Sequence, residues 1–211
     1  MLRAYIPVVV LVGVLYIVKH VTHIPYPNFT RDPAAITDTP AYYGLVSNIG
    51  ILLWCSSAAI YLFSFMLLRG RSSSKESRLF ILYLGLFTSL LLLDDFFLIH
   101  ETIAEYLEDA LGISLVFGEA AVFGVYGLLI IWLVIRFRMV LLNTDYIFLG
   151  LAVGFFLLSM ITDLGGELAD VYDPRLTLLE DTFKLCGIVG WFTYAVRTAL
   201  KQVVWFIKQG G

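Results

Sequence analysis

The sequence predicts an all-α, polytopic integral membrane protein with six transmembrane helices and both termini cytoplasmic, forming one domain over residues 1–211. Three observations lead to this. Of 211 residues, 60% are hydrophobic and 15% are charged, with a mean hydropathy of +0.87, whereas soluble domains carry about 25% charged residues. The apolar residues gather in blocks, and a hydrocarbon core about 30 Å thick needs about 20 of them in a helix. Lys and Arg concentrate in alternate connections between the blocks.

The first block, about 4–19, follows Arg3. A secretory signal would end in a small-x-small cleavage site, but Lys19-His20-Val21-Thr22-His23 follows, so the block reads as a retained helix. Pro25, Pro27 and Pro33 then break the chain. Blocks at about 44–68 and 79–99 flank the polar segment 70–74. Gly112 suits a helix end and Ser114 the cap of the next block, about 113–135. A fifth block covers about 146–165. Asp173-Pro174, an N-cap followed by proline at the first helical position, starts the sixth, about 177–200. Lys201 to Lys208, with Trp205 and Phe206, suits an interfacial anchor.

Six spans place Arg3, Arg69, Arg71, Lys75, Arg78, Arg136, Arg138, Arg197, Lys201 and Lys208 on one side, against Lys19, Arg31, Arg175 and Lys184 on or near the other. The positive-inside rule makes the first side cytoplasmic, in a plasma membrane or a bacterial inner membrane. The acids are biased the opposite way, with only Glu76 and Asp145 on the cytoplasmic side. Acids contribute little to orientation, so this bias has another cause. The net charge of −3 and the lack of a dense basic patch exclude nucleic acid as a partner. Cys55 and Cys186 lie inside apolar blocks and read as buried free thiols.

Counted at 1.5 Å per residue, Asp94, Asp95, Glu119, Asp163, Glu180 and Asp181 reach one thin layer of the outer leaflet, with Lys184 one turn deeper. Spacings of i, i+4 and i+7 extend stripes outward, Asp94 leading to Glu101, Glu105 and Glu108, and Asp163 to Glu167 and Asp170. Crowded carboxylates in a membrane require protons, a cation or water. Glu119 to Arg136 and Glu180 to Arg197 share a separation of 17 residues, the mark of a repeated hairpin.

Imidazole with carboxylates suits zinc, iron or manganese. The chemistry expected from this layer is a divalent-metal-dependent hydrolase acting on membrane lipids or a membrane-embedded substrate. Asp94, Asp95, His100, Glu101, Asp163 and Glu167 would be the metal ligands. Glu119 or Glu180 would be the general base, and Lys184, held by Glu180, would stabilise developing negative charge. Two other classes fit the same residues. A non-catalytic subunit or assembly factor would present the acidic outer face, Glu101 to Asp109, to a membrane protein partner. A proton- or metal-coupled transporter would use the acids as a pathway, although the inner halves of the last four blocks offer little polarity beyond Thr88, Ser89 and Ser159.

Overall fold

The computed structural model describes residues 6–69, 75–168 and 173–209, without the side chains of Pro7, Glu167, Leu168 and 205–209. The described residues form helices and connections, with no β-strand among them. The chain divides into two compact units, Met1–Leu45 and Val46–Gly211.

The first unit holds α1 (Ile6–Thr22) and two proline-initiated turns of helix, α2 (Pro27–Thr30) and α3 (Pro33–Thr37). His23 ends α1 in the left-handed region, φ 60°, its N–H donating to the Lys19 carbonyl at 2.9 Å. The 17 described residues of α1 cover about 26 Å.

The second unit holds α4 (Leu45–Leu68), α5 (Lys75–Phe97), α6 (Ile99–Leu111), α7 (Leu115–Leu141), α8 (Tyr146–Leu168) and α9 (Pro174–Gln209). Among the described residues, α4, α5, α7 and α8 are long and apolar enough to cross a membrane. The blocks expected at 44–68, 79–99, 113–135 and 146–165 correspond to them, although the third stops at Phe97. The expected sixth block lies inside α9, a helix of 36 residues in which Glu180, Asp181, Lys184 and Arg197 dilute the apolar run.

Helix ends follow local chemistry. Gly112 closes α6 at φ 68°, its N–H reaching the Glu108 and Leu107 carbonyls. Asp173 accepts the Arg175 N–H at 2.9 Å, capping α9 ahead of Pro174. Ser114 holds the cap position of α7 without a side-chain bond to it.

The core is a seam of large side chains. On α4, Gly50, Trp54, Ser57, Tyr61, Ser64 and Leu68 are buried at heptad spacing. Trp54 stacks on Phe156 of α8 and meets Trp191 of α9 edge-on, both at 5.8 Å between ring centroids. In an apolar solvent, helices associate through close packing and polar bonds rather than through the hydrophobic effect. Both are present: Trp191 Nε1 donates to Thr88 Oγ1 at 3.0 Å, and Tyr83 Oη to the Leu129 carbonyl at 2.9 Å. Glycines set the closest approaches, Gly118 against Ala104, Gly187 against Phe156 and Gly190 against Ala152. The two cysteines are free, and Cys55 is exposed on α4 rather than buried, because it lies off the seam occupied by Trp54 and Ser57.

The glycines yield a contrast. A Cβ on Gly118 would stand 2.8 Å from the Ala104 Cα, a backbone atom that cannot yield, whereas nothing lies within 4 Å of one on Gly124. Gly118→Ala is expected to cost about 1–3 kcal/mol through overpacking. Gly124→Ala is expected to gain about 0.5–1 kcal/mol from helix propensity. Thermal unfolding of the two variants in one detergent checks the difference.

Candidate functional site

Asp94 and Asp95 are adjacent near the end of α5, so their side chains leave the helix about 100° apart and meet different neighbours. Both are buried. Asp94 turns toward the start of α6. Its Oδ1 accepts the His100 backbone N–H and its Oδ2 accepts the His100 Nδ1–H, each at 2.9 Å. A carboxylate can only accept, so Nδ1 carries the proton.

Between the two helices Leu98 adopts φ 51°, ψ 46°, a left-handed conformation that disfavours side chains. Leu98 cannot cap α6 with its own side chain, and Asp94 satisfies that free N–H instead. The break also corrects the expected stripe: with the helix interrupted at Leu98, Asp94 does not continue into Glu101, Glu105 and Glu108 on one face. Those three remain exposed on α6, whereas His100 and Ala104 are buried.

The His100 ring packs against Phe123 of α7 at 5.1 Å, and the Tyr126 hydroxyl lies beside Asp94. Glu101 Oε1 is 3.9 Å from Nε2, beyond hydrogen-bond distance. Burial pulls the imidazole pKa down, but the Asp94 hydrogen bond and charge outweigh it, and the net shift is upward from 6.5.

Asp95 turns toward α9, where Lys184 Nζ meets its Oδ1 at 2.6 Å. Its Oδ2 is buried without a hydrogen-bond partner and faces Gly50, where a Cβ would stand 3.8 Å away. Beyond the expected attraction of Glu180, Lys184 forms an ion pair across helices with Asp95, and Asp181 also attracts it from within α9.

Asp163 on α8 is half-buried and within electrostatic range of both His100 and Lys184. Four helices therefore bring Asp94, Asp95, His100, Asp163 and Lys184 into one neighbourhood. Glu119 and Glu180 are half-buried on α7 and α9. The side chain of Glu167, and Asp170, lie outside the described residues. Among the described residues, no three His, Cys, Asp or Glu side chains stand close enough to share a metal ion. The physical reason is the pairing: both Asp94 oxygens face His100, Asp95 points to a different helix, and Glu101 is exposed.

The opposite end of the unit carries its own pairs. Arg136 on α7 grips Glu76 on α5 with two bonds, 2.8 and 3.1 Å. Asp145, between α7 and α8, accepts from Arg197 at 2.5 Å and from Lys201. The two arginines of the 17-residue repeat thus do equivalent work, each tying the last part of a helical hairpin to an acid at its start. Lys201 and Arg197 hold the Asp145 carboxyl below its ordinary value of 3.8.

The upward shift at His100 gives stability that is fully present below about pH 6.5, its unfolded value. That contribution is lost as pH rises through the folded value, so thermal stability is expected to decline on the alkaline side and His100→Gln to flatten the decline. Asp145 has the opposite sign: its contribution holds above pH 3.8 and disappears as pH falls through the lower folded value. Thermal unfolding across pH with and without each substitution reads both limbs.

Lys184→Met would leave the Asp95 carboxylate, 7% exposed, without its cation. The expected loss is about 3 kcal/mol, the low end for breaking a buried pair because Lys184 is itself 39% exposed. Combining it with Asp95→Asn is expected to recover most of the loss, measured as a double-mutant cycle.

No curated protein and no solved structure matches the chain. Residues 5–198, which contain every charged member of the Asp94 neighbourhood together with Asp145 and Arg197, match a family described as a domain of unknown function, DUF8692. The chain belongs to the DUF8692 family.

Proposed function

We propose that the protein is a non-catalytic membrane subunit whose α6 presents an acidic surface to a basic segment of a partner protein at the membrane boundary. The observation that supports this is the contrast between two sets of acids. Asp94 and Asp95 are buried and committed to His100 and Lys184, while Glu101, Glu105, Glu108 and Asp109 on α6 are exposed. Asp94 is what holds α6 in place, so the inner pair serves the outer display.

The membrane frame of this reading extends beyond the four apolar helices. α9 packs along α8 through Gly187 and Gly190, so a membrane-crossing α8 carries the middle of α9 to the same depth. With α1 as a further span, both termini are cytoplasmic by the distribution of Lys and Arg, in a plasma or bacterial inner membrane.

A divalent-metal-dependent lipid hydrolase is the second reading. In its favour, Asp163 lies within electrostatic range of both His100 and Lys184. It requires zinc, iron or manganese to draw Asp94 away from His100, with Glu119 or Glu180 as base and Lys184 as the electrophilic group.

One set of measurements separates the two. Glu105→Gln with Glu108→Gln is expected to release a partner that co-purifies with the tagged wild-type protein, while thermal stability is retained. Retention of that partner ends the first reading. Treatment with chelator, and addition of zinc or manganese, is expected to leave thermal stability unchanged. A clear rise on adding metal transfers support to the hydrolase.

A further inference from the structure

α6 carries an exposed apolar flank that the acidic row does not explain. Tyr106 is 70% exposed and Ile103, three residues before it, is exposed on the same flank. At 100° per residue, the mean direction of Glu105 and Glu108 lies about 160° from that of Ile103 and Tyr106. Between the two directions lie His100 and Ala104, which are buried, Ala104 against Gly118 of α7. α6 thus has three faces, one packed on the protein, one acidic and one apolar without cover.

The height of the apolar flank follows from the ion pair at the opposite end of the unit. Arg136 and Glu76 bring α7 and α5 to one level there, and both are exposed and charged, which sets them at or outside a membrane edge. Along α5, Phe97 lies 21 residues beyond Glu76, about 31 Å at the rise of a helix. Along α7, Gly118 lies 18 residues before Arg136, about 27 Å. Both distances match a hydrocarbon core of about 30 Å. The far edge of the membrane therefore falls at the α5–α6 junction and the first turns of α6.

The exposed side chains around this height suit such an edge. Leu86, Leu90, Leu93 and Phe97 form an exposed apolar stripe on α5, at spacings of four, three and four residues, that ends at the junction. Phe96, Leu98 and, beside Gly118, Phe117 are exposed at the same level. A tyrosine at a membrane edge buries its ring and keeps its hydroxyl wet. A helix with one apolar side and a strongly charged opposite side is the kind that settles at the boundary between headgroups and acyl chains.

We propose that α6 is seated in the boundary of the bilayer, with Ile103 and Tyr106 in contact with lipid and Glu105 and Glu108 turned to water. The lipid contact, together with the Ala104–Gly118 packing, fixes the rotation of α6 about its axis. It involves a different face from the acidic one and holds whether or not a protein partner binds the acids.

Ile103→Cys, Tyr106→Cys, Glu105→Cys and Glu108→Cys, each in the full-length chain with Cys55→Ser and Cys186→Ala, test this after labelling with an environment-sensitive fluorophore in phosphatidylcholine vesicles. Labels at 103 and 106 are expected to lose more fluorescence to nitroxide-bearing phosphatidylcholine than labels at 105 and 108, and less to iodide in the water. Equal quenching at the four positions, or the reverse order, overturns the proposal. Protection of 103 and 106 from both quenchers, the sign of a second copy or another protein covering the flank, overturns it too. Photo-crosslinking of the unsubstituted protein with a diazirine-bearing phosphatidylcholine gives a reading free of any substitution. A lipid adduct is expected on Ile103 or Tyr106, and its absence overturns the proposal.

Discussion

The carboxylate of Asp94 is the contact on which the architecture of the second unit turns. α5 ends where Leu98 enters the left-handed region, and the first turn of α6 begins with amide groups that the broken helix no longer satisfies. Water would serve them at an exposed helix end. At a membrane boundary they need a partner from the chain, and Asp94 supplies one oxygen to the His100 amide and the other to its ring. The direction of α6, its approach to α7 at Gly118 and Ala104, and the separation of its acids from those of α5 all follow from this one side chain.

The neighbouring Asp95 shows how adjacency in sequence becomes divergence in space. One residue of helix rotates its carboxylate away from α6 and toward Lys184. Two buried carboxylates thus acquire two separate partners, His100 and Lys184. At the other end Glu76 and Asp145 are matched by Arg136 and Arg197 in the same manner. The unit is held at both ends by charges and along its length by aromatic packing, close glycine contacts and a few directed hydrogen bonds. That is the pattern expected where lipid removes the hydrophobic driving force between helices.

The division of polar groups also bears on function. The polarity expected to be missing from the middle of the bundle is supplied by α4, whose Ser57, Tyr61 and Ser64 are buried on the seam. A reading restricted to the four later helices overlooked them because serine and tyrosine barely interrupt an apolar block. Heptad spacing with Trp54 was the signal available for them.

Composition and block length were enough for the helical class, the four apolar helices, the Gly112 and Asp173 helix ends and the presence of an acidic layer, because these depend on local properties: transfer free energy per residue, backbone preferences at caps, and rise along a helix. They could not decide what the acids do. Angular extrapolation from Asp94 to Glu101 takes the helix as unbroken, whereas Leu98 turns left-handed and a carboxylate six residues before His100 closes the next helix. The pairing of Asp95 with Lys184, and of Glu76 and Asp145 with the two arginines, is likewise a matter of which helices touch. Pairing of charges across helices is a property of tertiary contact, and residue spacing within one helix carries no information about it.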